Sequence, residues 1–167
     1  MLRAALPASV ILETDLASSG LILMANANRI QQVITNLVTN AGEASFETHC
    51  AVNLVLKSVS ATEIPSANRF PVSFETQADA YACLEVTDRG SGITPHDIEK
   101  LFEPFFSTKF IGRGLGLSVV LGIARAHAGV VTVERSPGVG SVFRVFLPLS
   151  AAAIPSKPVH LIPELLT

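Results

Sequence analysis

Two asparagines on one predicted helix are the first residues whose types and spacing suggest chemistry. Asn36 and Asn40 are one helical turn apart, so their side chains point the same way. Asparagine is a poor mid-helix residue because its side chain competes for backbone hydrogen bonds. An amide oxygen can bind Mg²⁺, which takes oxygen ligands and keeps phosphates and waters as the others. The pair indicates either a magnesium-phosphate site or a solvated helix face.

An aspartate followed by glycines comes directly after a predicted buried strand. Asp88 could accept a hydrogen bond from an amino group, and Gly90 and Gly92 would let a ligand approach the backbone closely. Taken alone, an ordinary Asp-Gly turn is the simpler interpretation.

A third segment, Gly112-Arg113-Gly114-Leu115-Gly116, places clustered glycines before a predicted helix. It lacks the Gly-Lys-Ser/Thr ending of the P-loop, and Leu117 stands where the dinucleotide fingerprint has its third glycine. Glycines that lead into a helix N-terminus nevertheless expose backbone N–H groups, which form a generic phosphate cradle.

The helices that must position these segments follow from the spacing of apolar residues. A helix is predicted over 26–45, with Asn26 as its N-cap. A second is predicted from the glycine segment to His127. Between them, a short helix is predicted from Pro95 to about Phe102.

Alternating or β-rich runs predict the strands. The four longer strands are predicted at 51–60, 81–87, 130–134 and 142–147. The last two form a hairpin around a turn at 136–140. Residues 10–12 and 21–24 predict either a small hairpin or two edge strands, and 63–78 predicts either a long connection or a frayed hairpin tip.

The composition excludes several classes of protein. The 167 residues, 49% hydrophobic and 16% charged with a net charge of −2, suffice for one domain with a single core. No run of Lys and Arg is present, so nucleic acid is not an expected partner. No apolar stretch approaches the roughly 18 residues that would cross a bilayer. Cys50 and Cys83 lack metal-type spacing and are expected to be buried thiols.

In their order along the chain, the segments resemble the ATP-binding domain of histidine kinases, in the superfamily shared with gyrase, the large heat-shock chaperone and mismatch-repair ATPases. Similarity to the N box, first glycine box, F box, second glycine box and closing hairpin lies at 36–41, 88–93, 101–106, 112–117 and 138–143. The resemblance implies a Bergerat-type α/β two-layer sandwich, with a mixed sheet of about five strands and helices packed on one face.

The resemblance also implies roles for individual residues. Asp88 would accept from the adenine amino group, with Ser141 supporting it through water, and Asn40 would bind the Mg²⁺ that bridges the phosphates of ATP. Lys109 and Arg113 would neutralise phosphate charge. The implied nucleotide site comprises Asn36, Asn40, Asp88, Gly90, Gly92, Ile93, Phe105, Lys109, Gly112, Arg113, Gly114, Leu115, Gly116, Leu117 and Ser141, with Asn36, Lys109 and Arg113 as catalytic candidates.

Position 36 bears on the type of reaction. Hydrolysing relatives carry a Glu there that can activate water, whereas histidine kinases usually have Asn, as here, and an amide cannot act as that base. The resemblance therefore implies transfer of the γ-phosphoryl group of ATP to a protein histidine. The four histidines of this chain lie in other contexts, with a surface or capping role expected of His96 and His127 near helix ends, so the acceptor is expected outside the chain.

The expected function is the ATP- and Mg²⁺-dependent catalytic domain of a two-component sensor histidine kinase, unable to transfer phosphate by itself. Its implied partners are a His-containing dimerisation domain of the same protein and a response regulator receiver domain. The domain is expected in the cytoplasm, within a full-length homodimer whose membrane anchoring the sequence leaves open. Residues 1–149 are assigned to this domain, and 150–167 to a linker toward a receiver domain. A clamp-type ATPase and a degenerate nucleotide-binding scaffold remain alternatives.

Overall fold

Six strands form one mixed sheet in the computed structural model of the chain, which describes residues 2–16, 21–45, 51–106, 114–136, 139–150 and 159–160. With the two strands of a second, smaller sheet, the described residues contain eight strands: β1 (Leu12–Asp15), β2 (Ile22–Leu23), β3 (Val52–Ser60), β4 (Arg69–Phe70), β5 (Ala80–Asp88), β6 (Val130–Ser136), β7 (Gly140–Pro148) and β8 (Val159–His160). The helices are α1 (Ala27–Ser45), α2 (Pro95–Ile98) and α3 (Gly116–Ala126), with 3₁₀ turns at Leu2–Ala5 and Ala61–Glu63.

The sheet order is β1-β3-β5-β7-β6-β4. β1 runs parallel to β3, and every other neighbouring pair in this sheet is antiparallel. β2 pairs with β8 in a separate two-stranded sheet. The α/β fold with helices on one face of the sheet is therefore confirmed.

Helix α1 covers the centre of the inner face of the sheet. Its apolar residues recur at steps of three and four, so Ile30, Ile34 and Leu37 fall on one side and are buried in the main core. Asn26 caps the helix, because its Oδ1 accepts a hydrogen bond from the Arg29 N–H at 3.2 Å. Both the helix and its predicted cap are confirmed.

Successive residues of each strand point to opposite faces of the sheet. In β5, Leu84 and Val86 join the main core on the inner face, whereas Tyr81 and Cys83 belong to a smaller apolar cluster on the outer face. We call this group the outer cluster; its buried members are Val59, Ile64, Tyr81, Cys83, Val130 and Phe146. The predicted long connection helps to cover it with Phe74.

Three sequence predictions differ from the observed elements. The sheet has six strands rather than about five, because β4 pairs with β6 at the far edge. Of the two interpretations of the first short strands, the hairpin is wrong, since β1 joins β3 and β2 joins β8. The short helix ends at Ile98 instead of Phe102. Turns follow it, and they bring the Phe102 ring to 4.7 Å from the ring centroid of Phe70.

The last strand of the main sheet ends at Pro148, close to the predicted end of the domain. Beyond it, the Ser150 N–H donates to the Ile22 carbonyl at 3.1 Å. The assignment of 150–167 to an interdomain linker stays a prediction. None of the helices in the described part of the chain has the length and apolarity required to cross a membrane.

Candidate functional site

Asp88 is the last residue of β5 and is only 2% exposed. Each of its carboxylate oxygens has a protein donor: the Gly90 N–H donates to Oδ1 at 2.9 Å, and the Ser141 hydroxyl donates to Oδ2. Ser141 lies directly opposite Asp88 across β5 and β7, so its hydrogen bond is direct rather than through the expected water molecule. Each carboxylate oxygen has a second lone pair that can accept from a ligand.

The two predicted amides lie on α1, where both side chains are half-buried. The Asn36 Nδ2 donates to the carbonyl of Gly116, the first residue of α3, at 3.2 Å. Asn40 follows one turn later on the same side of the helix. Asn36 therefore lies beside the N-terminus of α3, and Asn40 lies one turn further along α1.

Helix α1 also borders the loop that follows Asp88. A Cβ atom at Gly90 would lie only 2.3 Å from the carbonyl oxygen of Ala44, so this loop approaches α1 as closely as a glycine allows. Asn36 and Ala44 are about 12 Å apart along the helix axis at 1.5 Å per residue. One helix thus connects a buried acid at one end with an amide and a helix N-terminus at the other.

The N-terminus of α3 has no side-chain cap in the part of the chain that the structure describes. Leu115 stands at the N-cap position, and its carbonyl accepts a hydrogen bond from the Ser118 hydroxyl at 2.9 Å. The first N–H groups of a helix point outward and attract anions, particularly where no side chain caps them. The N–H groups at this end of α3 can therefore donate hydrogen bonds to a phosphate oxygen.

Phe105 and Gly114 are joined by a hydrogen bond from the Phe105 N–H to the Gly114 carbonyl at 2.9 Å. Gly114 has a φ of +63°, and a Cβ there would lie 2.5 Å from the carbonyl carbon of Phe105, which explains the glycine. The Phe105 side chain is 79% exposed, so its predicted contact with a nucleotide stays a prediction. The predicted residues Lys109, Gly112 and Arg113 lie outside the described residues.

The remaining predicted residues lie around these groups. Gly92 has a φ of +73°, which favours glycine, and Ile93 packs against the main core. Leu117 also packs against the core from the first turn of α3, while Leu115 is exposed. Nucleotide contacts of these residues remain predictions.

Of the surface and capping roles expected for His127, the structure shows capping at the end of α3. Its Nδ1 donates to the Ile123 carbonyl at 2.8 Å, and its Nε2 accepts from the Asn26 N–H at 3.4 Å. The imidazole therefore joins the end of α3 to the N-cap of α1. The periodicity of the two helices gives no sign of this second contact, because it depends on how they pack.

A metal ion at this site would take most of its coordinating oxygens from a bound nucleotide and water. No group of three or more His, Cys, Asp and Glu side chains is placed to hold a metal among the described residues. Mg²⁺ commonly takes one or two protein oxygens and completes its shell with phosphates and waters. The Asn40 amide, one turn from the N-terminus of α3, fits such a shared site.

Sheet, buried acid and amide-bearing helix together define a domain of the two-layer α/β class whose polar groups suit a nucleotide. The chain belongs to the family of histidine kinase-, DNA gyrase B- and HSP90-like ATPases, whose family model matches residues 25–151. The resemblance inferred from the motifs is confirmed.

Among curated proteins, the chain is similar to sensor kinases. Sensor kinase CckA of Brucella abortus is 36% identical over 127 residues, which cover 74% of this chain and 13% of that protein. Sporulation kinase C of Bacillus subtilis is 31% identical over 139 residues, which cover 83% of this chain and 27% of that protein. The chain thus spans between 13% and 27% of the length of these two relatives.

Solved structures give the same picture of the fold. The catalytic domain of histidine kinase ThkA is 28% identical with a TM-score of 0.61, covering 88% of this chain and 82% of that one. The mycobacterial sensor histidine kinase MprB has a TM-score of 0.65 at 22% identity, covering 84% of this chain and 83% of that one. The chain therefore corresponds to the catalytic, ATP-binding domain of sensor histidine kinases rather than to a clamp-type ATPase.

Proposed function

We propose that this domain binds ATP with Mg²⁺ and transfers the γ-phosphoryl group to a histidine on a dimerisation domain outside the chain. The observation that carries the proposal is the buried Asp88, whose carboxylate is held by the Gly90 N–H and the Ser141 hydroxyl beside the amide-bearing helix.

The acid would select the base of the nucleotide. A carboxylate only accepts hydrogen bonds, so Asp88 favours a base with a donor facing it. Adenine carries an amino group at position 6, whereas guanine has a carbonyl there. A buried site that is left with an unpaired acceptor discriminates strongly between such ligands. We therefore expect adenine to be preferred over guanine.

The other end of the site, near the start of α3, would hold the phosphates. Asn40 would supply an oxygen to Mg²⁺, and the N–H groups that begin α3 would donate to phosphate oxygens. Lys109 and Arg113 would neutralise phosphate charge, as the family resemblance implies. A protein with this fold, full-length ShkA, has been solved as a complex with AMPPNP, with a TM-score of 0.63.

The chemical step needs an acceptor that the domain does not supply. A lone pair on the acceptor imidazole would attack the γ-phosphorus, the bond to the β–γ bridging oxygen would break, and ADP would leave. Asn36 carries no basic group, and its Nδ2 already donates to the Gly116 carbonyl, so it cannot deprotonate water. Transfer to histidine is therefore favoured over hydrolysis.

The family relationship suggests the partners of the whole protein. We expect a homodimer on the cytoplasmic side, in which residues 1–149 act on the dimerisation domain and the phosphoryl group then passes to a response regulator receiver domain. Residues 150–167 would link this domain to the next one. No activity is expected from the isolated domain beyond nucleotide binding.

The proposal is tested by incubating the full-length protein and the isolated domain separately with ATP labelled at the γ-phosphate. The full-length protein should acquire an acid-labile, base-stable label, as expected of phosphohistidine, and the isolated domain should acquire none. Steady phosphate release from the isolated domain would instead support a clamp-type ATPase. A domain that gives no binding heat with a magnesium-bound ATP analogue would be a degenerate scaffold.

A further inference from the structure

The first residue of β7, Gly140, approaches the backbone of Asp88 more closely than any residue with a side chain can. A Cβ atom at Gly140 would lie 2.0 Å from the Asp88 carbonyl oxygen and 2.8 Å from the Arg89 Cα. The φ of Gly140 is +131°, which L-residues with a side chain rarely adopt. Both the space and the backbone conformation therefore require glycine here.

This close approach determines where the next residue lies. Ser141 follows Gly140 immediately, stands opposite Asp88 across the two strands, and donates its hydroxyl hydrogen to Oδ2. On the other side of the carboxylate, Gly90 donates to Oδ1 and abuts the Ala44 carbonyl of α1. The acid is thus held between the start of β7 and the last turns of α1.

We infer that Gly140 is a positioning residue for adenine recognition, because its contact with the Asp88 backbone sets the direction of the carboxylate. The inference rests on the proposed function, since it concerns the same acid and the same base. It goes further in assigning base selectivity to a residue in the β6–β7 hairpin that need not touch the nucleotide.

The expected effect follows from the distances. Non-bonded carbon and carbonyl oxygen atoms keep about 3.3 Å or more between them, so Gly140→Ala would separate β7 from Asp88 by about 1 Å. A displacement of that size at a binding group costs about 100-fold in the worst cases. We expect ADP to bind up to about 10-fold more weakly to Gly140→Ala, within that limit.

The test compares two ligands that differ only in the group that Asp88 would bind. Purine riboside 5′-diphosphate has the ring, ribose and phosphates of ADP but lacks the 6-amino group. Wild-type domain with Mg²⁺ should bind ADP about 10-fold more tightly than this analogue, as one buried hydrogen bond to a charged group allows. In Gly140→Ala this ratio should fall toward one, with affinity for the analogue nearly unchanged.

Gly122→Ala is the matched control. Gly122 lies in α3, and a Cβ added there meets no atom within 4 Å, so this variant should keep the wild-type ratio. Circular dichroism establishes that each variant is folded. A folded Gly140→Ala that keeps the wild-type ratio, or that weakens both ligands equally, would overturn the inference. Failure of the wild-type domain to bind either ligand would refute the proposed function itself.

Should Gly140→Ala not fold, Ser141→Ala replaces it in the same comparison. That substitution keeps the Gly140 backbone and removes only the hydroxyl that this backbone brings to Asp88. A fall in the ADP-to-analogue ratio of about threefold or more supports the inference. An unchanged ratio would overturn it.

Discussion

Strand β5 carries one acid on each face of the sheet, and the two acids are held in different ways. On the outer face, Glu85 stands opposite Arg144 and accepts a hydrogen bond from its Nε at 2.6 Å. On the inner face, Asp88 stands opposite Ser141 and has only neutral donors among the described residues. The charge of Glu85 is compensated by Arg144, whereas the Asp88 carboxylate is oriented by neutral donors and, in our proposal, faces the base of a nucleotide.

The surroundings of the two acids extend the contrast. Arg144 also donates to Glu134 at 2.8 Å. Glu85, Arg144 and Glu134 thus form a row of ion pairs on the outer face, which we call the ion-pair ladder. Burial alone would lower the pKa of Arg144, but its hydrogen bonds to Glu134 and Glu85 outweigh burial and raise that pKa. We therefore expect substitutions on the outer face to change the free energy of unfolding, and substitutions around Asp88 to change nucleotide affinity.

Matched substitutions of the two acids test this contrast with the largest expected effect. Asp88→Asn should weaken binding of magnesium-bound ADP by about 1–3 kcal/mol, because a carboxylate acceptor in a buried hydrogen bond becomes a neutral amide. The asparagine oxygen can still accept from Gly90, so the melting temperature should change little. Glu85→Gln is the control, and calorimetry should find its affinity unchanged. Equal losses in the two variants would remove the distinction between the faces.

The buried thiol of the outer cluster predicts a pH dependence of stability. Burial raises the pKa of Cys83 from 9.0 to about 11. The unfolded chain therefore loses the thiol proton first as pH rises, so this contribution to stability is complete below pH 9 and declines up to about pH 11. The decline should be about 2–3 kcal/mol. Urea unfolding at several pH values measures it, with Cys83→Ala as the reference for all other titrating groups. Identical pH profiles would contradict the prediction.

Tyr81 gives a smaller effect on the same face. Its buried hydroxyl accepts from the backbone N–H groups of Gln77 and Ala78 at 2.8 and 3.2 Å. Tyr81→Phe would leave these donors without that acceptor and should lower the free energy of unfolding by about 1–2 kcal/mol. Chemical denaturation measures this loss, and ADP affinity should stay the same. A stable variant with weakened ADP binding would show that the faces are coupled.

Helix α1 and the long strands could be predicted from the sequence because their apolar residues repeat with the period of each element. The pairing of β1 with β3 could not, since a Ser-Ser-Gly turn signal predicts a hairpin equally well. The end of α2 could not be predicted either, because the residues that follow it take part in tertiary packing, such as the contact between Phe102 and Phe70. Local propensity cannot predict such contacts.

In the candidate site, too, local sequence predicts single residues but not the contacts between distant segments. The motifs predict roles for Asp88, Asn40 and Ser141, since each lies in a short segment of distinctive composition. The direct bond between Asp88 and Ser141 and the role of Gly140 required the register of β5 with β7, which joins residues far apart in the chain. A glycine immediately before Ser141 was the only local signal for that contact.

The smallest effect is expected at the exposed end of the ion-pair ladder. Glu134 pairs with Arg144, but its side chain is 65% exposed. Glu134→Gln should therefore change the free energy of unfolding by less than about 1 kcal/mol, and high salt should reduce the difference. Urea titrations at low and high salt measure it. A large effect that salt does not reduce would mean that the outer ladder stabilises the sheet more than an exposed ion pair can.

Calorimetric titration with AMPPNP, with and without Mg²⁺, tests the central claim most directly. The wild-type domain should bind one molecule, more tightly with the metal. Asn40→Ala should lose the magnesium-dependent part of that affinity and keep the rest. Equal losses with and without metal, or the absence of both binding heat and thermal shift in the wild-type domain, would contradict a nucleotide site between α1, α3 and Asp88.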